Sequence, residues 1–212
     1  MSRRVKGAFI TVEGVEGCGK TTQTERLCEY LRRKGREVVA TREPGGVPIA
    51  EALRTVLLDP GNKTMSAVTE LLLYAAARAQ HVDELIRPAL DRGAVVVCDR
   101  FADSTTAYQG AGRGLPFDVI ETLHRIAARD TWPDLTIVLD VPPEQGLART
   151  AHAGPFDRVE EEPLAFHQRV REEFLQIAQR EPGRVKVLDG TRTADEVFSD
   201  IEDLVDRLLE RI

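Results

Sequence analysis

Gly14-Val15-Glu16-Gly17-Cys18-Gly19-Lys20-Thr21 satisfies G-x-x-x-x-G-K-(S/T) at every fixed position. Its surroundings agree with it. Ala8 to Val12 is a short apolar, β-branched run that predicts a buried strand. Gln23 to Lys34 carries Leu27 and Leu31 four apart among polar residues, which predicts an amphipathic helix. Strand, glycine loop and helix are the context in which this motif cradles phosphate. Glycines let backbone N–H groups turn toward phosphate oxygens, and the helix N-terminus adds positive potential. Gly14, Val15, Glu16, Gly17, Cys18, Gly19, Lys20, Thr21 and Thr22 are therefore the candidate nucleotide-binding residues. Lys20 is expected to reach the β- and γ-phosphates, and the Thr21 hydroxyl is placed to ligate Mg²⁺.

The 212 residues suffice for one core, so a single domain over 1–212 is expected. With 42% hydrophobic and 30% charged residues and a net charge of −6, the composition is that of a soluble globular chain. A net acidic chain argues against sequence-independent binding to nucleic acid or to an anionic membrane. No apolar run approaches a membrane span, and Met1 to Arg4 leads into no signal-like segment. A cytoplasmic protein is the expectation. Cys18, Cys28 and Cys98 lack metal-ligand spacing and read as free thiols. Cys28 and Cys98 are expected in the core, with Cys18 filling a variable motif position.

Along the chain, further strands are expected at Glu37–Ala40, Ala94–Cys98, Leu135–Asp140 and Arg184–Leu188. Helices are expected at Val47–Leu58, Ser66–Asp91 with a kink at Pro88, Phe117–Arg129, to Thr150, Glu161–Arg180 and Ala194–Arg211. Gly110 to Gly114 reads as a flexible turn. Five strands alternating with helices predict an α/β fold, a parallel sheet with helices on both faces. A breaker-rich segment at about 150–160 lies between helices and reads as a short lid.

Several residues stand where ligands bind in such sheets, beyond the carboxyl ends of the strands. Thr41 to Gly46 follows the second strand. Asp99 directly follows an apolar strand, where these folds keep a Mg²⁺-linked acid. Arg78 sits in a nearly all-apolar helix and needs a partner; a ligand-facing arginine that meets an anion is favoured over a solvated or structurally paired one. Ser104 to Gln109 mixes hydroxyls, Tyr108 and an amide, groups that read a base by hydrogen bonds.

Taken together, these motifs resemble the bacterial thymidylate kinases, of the P-loop nucleoside monophosphate kinase family. The resemblance rests on Glu13 to Thr22, Arg42-Glu43-Pro44-Gly45-Gly46, Tyr74 with Arg78, and Asp99-Arg100 through Ser104, Tyr108 and Gln109. It implies the three-layer P-loop NTPase fold and phosphoryl transfer from ATP·Mg²⁺ to dTMP in a homodimer. Carried over to this chain, it implies that Lys20 and Thr21 hold the ATP phosphates and Mg²⁺, with Asp99 assisting. Glu16 matches a carboxylate that bonds the sugar 3′-hydroxyl. Arg42 and Arg100 match arginines on the acceptor phosphate. Tyr74 stands where the family stacks a phenylalanine on thymine, Arg78, Thr105 and Gln109 belong around the base, Ser104 is a further dTMP-binding residue, and Tyr108 lies under the deoxyribose.

This chain departs from the family at Gly17, where one branch carries a catalytic arginine, so the transition-state cation is expected from the lid. Arg149 and Arg158 bracket a segment holding only His152. Arg158, beyond Gly154-Pro155, is expected to swing in as that cation, with Arg149 against adenine. The alternative for Arg158 is a solvated pair with Glu160, Glu161 or Glu162. A GTPase switch would need an Asn-Lys-x-Asp guanine reader, but Asn62-Lys63-Thr64 ends in Met65. Intact Lys20, Thr21, Asp99 and Arg100 argue against a non-catalytic nucleotide sensor. A kinase of another nucleoside monophosphate is the alternative nearest in chemistry.

Overall fold

The computed structural model describes residues 7–150 and 157–211. The first strand, β1 (Ala8–Glu13), is wholly buried and lies at the centre. From it the chain runs through α1 (Lys20–Arg33), β2 (Val38–Arg42), α2 (Pro48–Leu58) and α3 (Ala67–His81). A π-helical turn at Val82–Ile86 leads into α4 (Arg87–Asp91) and β3 (Val95–Asp99). Then come α5 (Ala102–Thr105) with a π-helical extension over Thr106–Gly112, α6 (Phe117–Ala128), β4 (Leu135–Asp140), α7 (Pro143–Thr150), α8 (Leu164–Arg180), β5 (Val185–Asp189) and α9 (Ala194–Leu209).

The sheet is five-stranded and parallel, in the order β2-β3-β1-β4-β5. Alternation along β1 explains the three layers. Ile10 and Val12 face one apolar cluster with Leu27 and Leu31 of α1, Phe174 of α8 and Ile201 of α9. Phe9 faces the other, with Val82, Ile86, Ala89 and Ala128. Both faces are covered, so the strands read as continuous apolar runs.

Register then sets up the site. Val12 and Arg42 both pair with Asp99, so β1, β2 and β3 end at one edge. That edge carries Glu13, Arg42 and Asp99 side by side.

Three local expectations are corrected. β2 continues through Arg42, because it is an edge strand that tolerates charge there. The long helix yields at Val82–Ile86 rather than kinking at Pro88; proline has no N–H to close the α-helical bond, and the wider turn absorbs the loss. Gly110 and Gly112 lie within the π-helical stretch, not in a flexible turn. A Cβ on Gly110 would stand 2.7 Å from Phe117, and one on Gly112 2.6 Å from Phe166, so these glycines admit close ring packing. Residues 151–156 of the expected lid, His152 among them, lie outside the described residues.

Candidate active site

A cleft of about 850 Å³ opens over the shared strand edge and the loop after β1. Glu16, Gly17, Gly19, Lys20, Thr21 and Thr22 line it from the loop side. Gly14, Val15 and Cys18 stand behind them, with Val15 and Cys18 buried. α1 begins at Lys20, three residues before the sequence suggested, and Gly19 at φ 96° caps it without a side chain. Its first N–H groups therefore stay open to a ligand. Lys20 Nζ donates to Val15 O at 2.8 Å and Gly14 O at 3.2 Å. Thr21 Oγ1 donates to Asp99 Oδ2 at 3.2 Å. Hydroxyl and carboxylate thus meet at the foot of the cleft, an oxygen donor set that fits Mg²⁺. No cluster of three His, Cys, Asp or Glu able to hold a metal occurs among the described residues. Mg²⁺ usually keeps its remaining positions for water and substrate phosphate, so such a cage is not required.

Arg42, Tyr74, Arg78, Arg100, Ser104, Thr105, Tyr108 and Gln109 line the same cleft. Glu51 receives two bonds from Arg42 Nη2, both at 3.1 Å, and caps Gly46 N at 2.9 Å, which aims the guanidinium. Arg78 is 2% exposed, and its Nε donates to Glu43 at 2.7 Å. Its Nη2 donates to Phe101 O and Thr105 Oγ1, both at 3.0 Å. Arg78 is thus paired within the fold, with the Glu43 carboxylate rather than with the ligand anion that the sequence favoured, and Glu43 is itself held by His81 at 3.0 Å. Gln109 Nε2 donates to buried Glu70 at 2.7 Å. Because a carboxylate only accepts, this fixes the amide orientation and leaves its oxygen free for another donor.

Arg100 adopts φ 71°, a left-handed conformation that favours glycine. Glu13 explains how it is held. One Glu13 oxygen accepts from Phe101 N at 2.6 Å and the other from Ser104 Oγ at 2.6 Å, clamping the turn. Arg100 then reaches Gly14 O at 2.9 Å and Glu16 at 3.1 Å. Burial, with Asp103 adding repulsion, pushes the Glu13 carboxyl up to about 8. A folded pKa above the unfolded value means the fold binds the proton. Stability is then lost as pH rises from about 4.5 to about 8. Glu13→Gln, which mimics the protonated form, is expected to flatten the melting temperature across that window and to melt higher than wild type at pH 8. An unchanged pH slope would contradict the clamp's protonation.

Arg149 and Arg158 part company. Arg149 lines the cleft, and its Nη1 donates to Gly17 O at 3.3 Å. Arg158 is instead held inside the fold in this structure. It is 6% exposed, with Nη1 2.6 Å from Glu70 and Nε donating to Leu57 O at 2.8 Å. Its partner is thus Glu70, not Glu160, Glu161 or Glu162. Gly17 is also explained. It adopts φ 65°, and a Cβ there would collide with the Gly146 carbonyl of α7. Placing the other branch's arginine in this loop (Gly17→Arg) should therefore lower the melting temperature and turnover together, where a rescuing cation would raise turnover.

Sequence reasoning missed Glu13's clamp, the support from Glu43 and His81, and Arg54. Arg54 lines the cleft with Nη1 on Pro44 O at 2.9 Å. Burial and the neighbouring Arg42 charge both lower its pKa, so this corner favours an anion. Nothing in the run around Arg54 set it apart, whereas Glu13 stood inside the quoted motif.

A family model described as thymidylate kinase matches residues 12–201. The chain is 54% identical over 212 residues to a thymidylate kinase of Geobacter sulfurreducens, covering 97% of this chain and 98% of the relative. It is 55% identical over 205 residues to one of Pseudomonas fluorescens, covering 97% and 98%. A solved thymidylate kinase from Ehrlichia chaffeensis superposes with a TM-score of 0.77 at 33% identity, covering 94% of this chain and 99% of that one.

Proposed function

The chain belongs to the thymidylate kinase family, ATP-dependent enzymes that convert dTMP to dTDP on the way to dTTP, and we propose which of its residues carry that reaction. One observation supports the assignment above others: a single cleft runs from the Thr21–Asp99 contact to Gln109. It gives donor phosphates and acceptor base opposite ends of one space.

In this reading Lys20 leaves its loop carbonyls for phosphate oxygens, and the open N–H groups of α1 hold the β-phosphate. Thr21 and Asp99 hold Mg²⁺, which when bound neutralises phosphate charge. Arg42, Arg54 and Arg100 gather the acceptor phosphate, Arg42 pre-aimed by Glu51 and Arg100 by Glu13. Glu16 takes the sugar 3′-hydroxyl. Tyr74 lies against the base, and Arg78 and Thr105 support its pocket. The Gln109 oxygen, turned outward by Glu70, accepts from an N–H such as thymine N3–H. Cytosine has no N–H there, so its monophosphate would leave that acceptor unmet. Tyr108 closes the sugar side. Arg149, beside Gly17, supplies positive charge to the transferring phosphoryl group, the role expected from the sequence for Arg158. Coupled ADP release across nucleoside monophosphates tests the reading: dTMP should show the highest kcat/KM and dCMP a value lower by orders of magnitude. Equal use of the two would overturn the base assignment.

The chain acts as one kinase domain over 1–212 with its lid at about 150–160, in the cytoplasm, and as a homodimer. Among the described residues no helix is long and apolar enough to cross a membrane. The dimer reading is supported by apolar side chains standing in solvent on α2, α3 and α6: Ile49, Val56, Val68, Leu72, Val119 and Ile126. α3 packs against both of the other helices, which makes the three one surface. Sedimentation at twice the chain mass is expected; a monomer at micromolar concentration would contradict it.

A further inference from the structure

Given that Glu16 takes the sugar 3′-hydroxyl, we propose that His167 is a positioning residue that fixes the Glu16 carboxylate for the acceptor substrate. His167 stands on α8, outside every motif that marks the site. It is fully buried, with Nδ1 3.1 Å from Glu16 Oε2. The other carboxylate oxygen, Oε1, accepts from the Tyr108 hydroxyl at 2.5 Å and from Arg100 Nη2 at 3.1 Å. A carboxylate offers about four lone-pair sites. Three are thus taken, one of them by His167 from outside the cleft lining, and one remains for the cleft that Glu16 lines.

The protonation states follow from the same contacts. Burial works to raise the Glu16 carboxyl, but the bond from His167, the charges of Arg100 and Lys20, and the bond from Tyr108 more than offset it and hold the pKa at about 2. Glu16 is therefore a carboxylate and can only accept, so His167 donates to it from Nδ1. The ring's other polar atom is Nε2. That atom is buried and has no hydrogen-bond partner among the described residues. An unmet buried polar atom is destabilising. A phenylalanine beside Phe166 would fill similar space without it. Packing alone thus gives no reason for an imidazole here, whereas donation from Nδ1 to Glu16 does.

The test is a cycle in the full-length enzyme: His167→Phe, Glu16→Gln, the two combined, and His167→Asn. Asparagine puts an amide N–H where Nδ1 lies. His167→Phe should raise the KM for dTMP about tenfold, a coupling of ordinary size between touching groups. The KM for ATP should stay within about twofold, which a general loss of packing would not leave unmoved. His167→Asn should restore most of the dTMP KM, even at some loss of melting temperature. In the Glu16→Gln background the histidine change should add little. A folded His167→Phe with normal dTMP KM, or losses that multiply in the combined variant, would overturn the proposal. If His167→Phe does not fold, His167→Gln carries the cycle, because its amide reaches the Nε2 position rather than Nδ1. Comparing dTMP with its 3′-deoxy analogue on the wild type tests Glu16 separately. Equal use of the two would remove the 3′-hydroxyl assignment while the cycle still decides His167.

Discussion

Lys20→Ala should reduce turnover by roughly 10²–10³, the usual cost of removing a preorganised charge from a developing anion. The fold should survive, because among the described residues the Lys20 ammonium bonds only to its own loop: Gly14 O, Val15 O and Cys18 Sγ. None of those carries a strand or a helix. A melting temperature near wild type with single-turnover kinetics on saturating ATP and dTMP separates the two effects. A folded variant that kept a tenth of wild-type turnover would show that phosphate charge is neutralised elsewhere in the cleft.

The second large effect concerns Arg149. Charge spreads over the γ-phosphoryl oxygens in the transition state, and a cation delivered there is typically worth about 10³–10⁵ in rate. That is about 4–7 kcal/mol of barrier. Gly17 offers no side chain, and its Cβ space belongs to the Gly146 carbonyl. Arg149 lies on the last turn of α7, against Gly17 O, and already lines the cleft. Arg149→Ala should thus lose turnover by about 10³ or more with little change in melting temperature. Arg158→Ala should do the opposite. It would strip one cation from Glu70, which is 1% exposed and would keep, among the described residues, Arg113 and Gln109. Breaking a buried pair is costly, so the melting temperature should fall by several degrees at nearly normal kcat. A large kcat loss for Arg158→Ala beside a normal Arg149→Ala would return the role to the lid's far end.

The particular residues show why some of this was legible. The glycine loop was readable because its geometry demands fixed residue types, and β1, β3 and β4 because burial on both faces leaves unbroken apolar runs. The cleft's contents followed, since Arg42, Asp99 and the Ser104–Gln109 group all sit where strands end. What failed depended on contacts distant in sequence. Arg158 reads as able to move because the acids near it in the chain are its local neighbours Asp157 and Glu160 to Glu162, whereas its partner Glu70 comes from α3. Gly110 and Gly112 looked like a turn because glycine is ambiguous; two phenylalanine rings packed against them decide the matter. His167 gave no signal at all. A histidine in a helix shows its purpose only once Glu16 is beside it.

The central claim is that donor and acceptor meet end to end in one cleft. An inhibitor joining adenosine and thymidine through a polyphosphate chain tests it most directly, because the second end binds at high effective concentration only if one space holds both. Titration calorimetry should show it binding at least about a hundredfold tighter than ATP or dTMP alone. Both Lys20→Ala and Arg42→Ala should weaken it. Binding no tighter than the better of the two nucleotides, or indifferent to Arg42, would contradict the account.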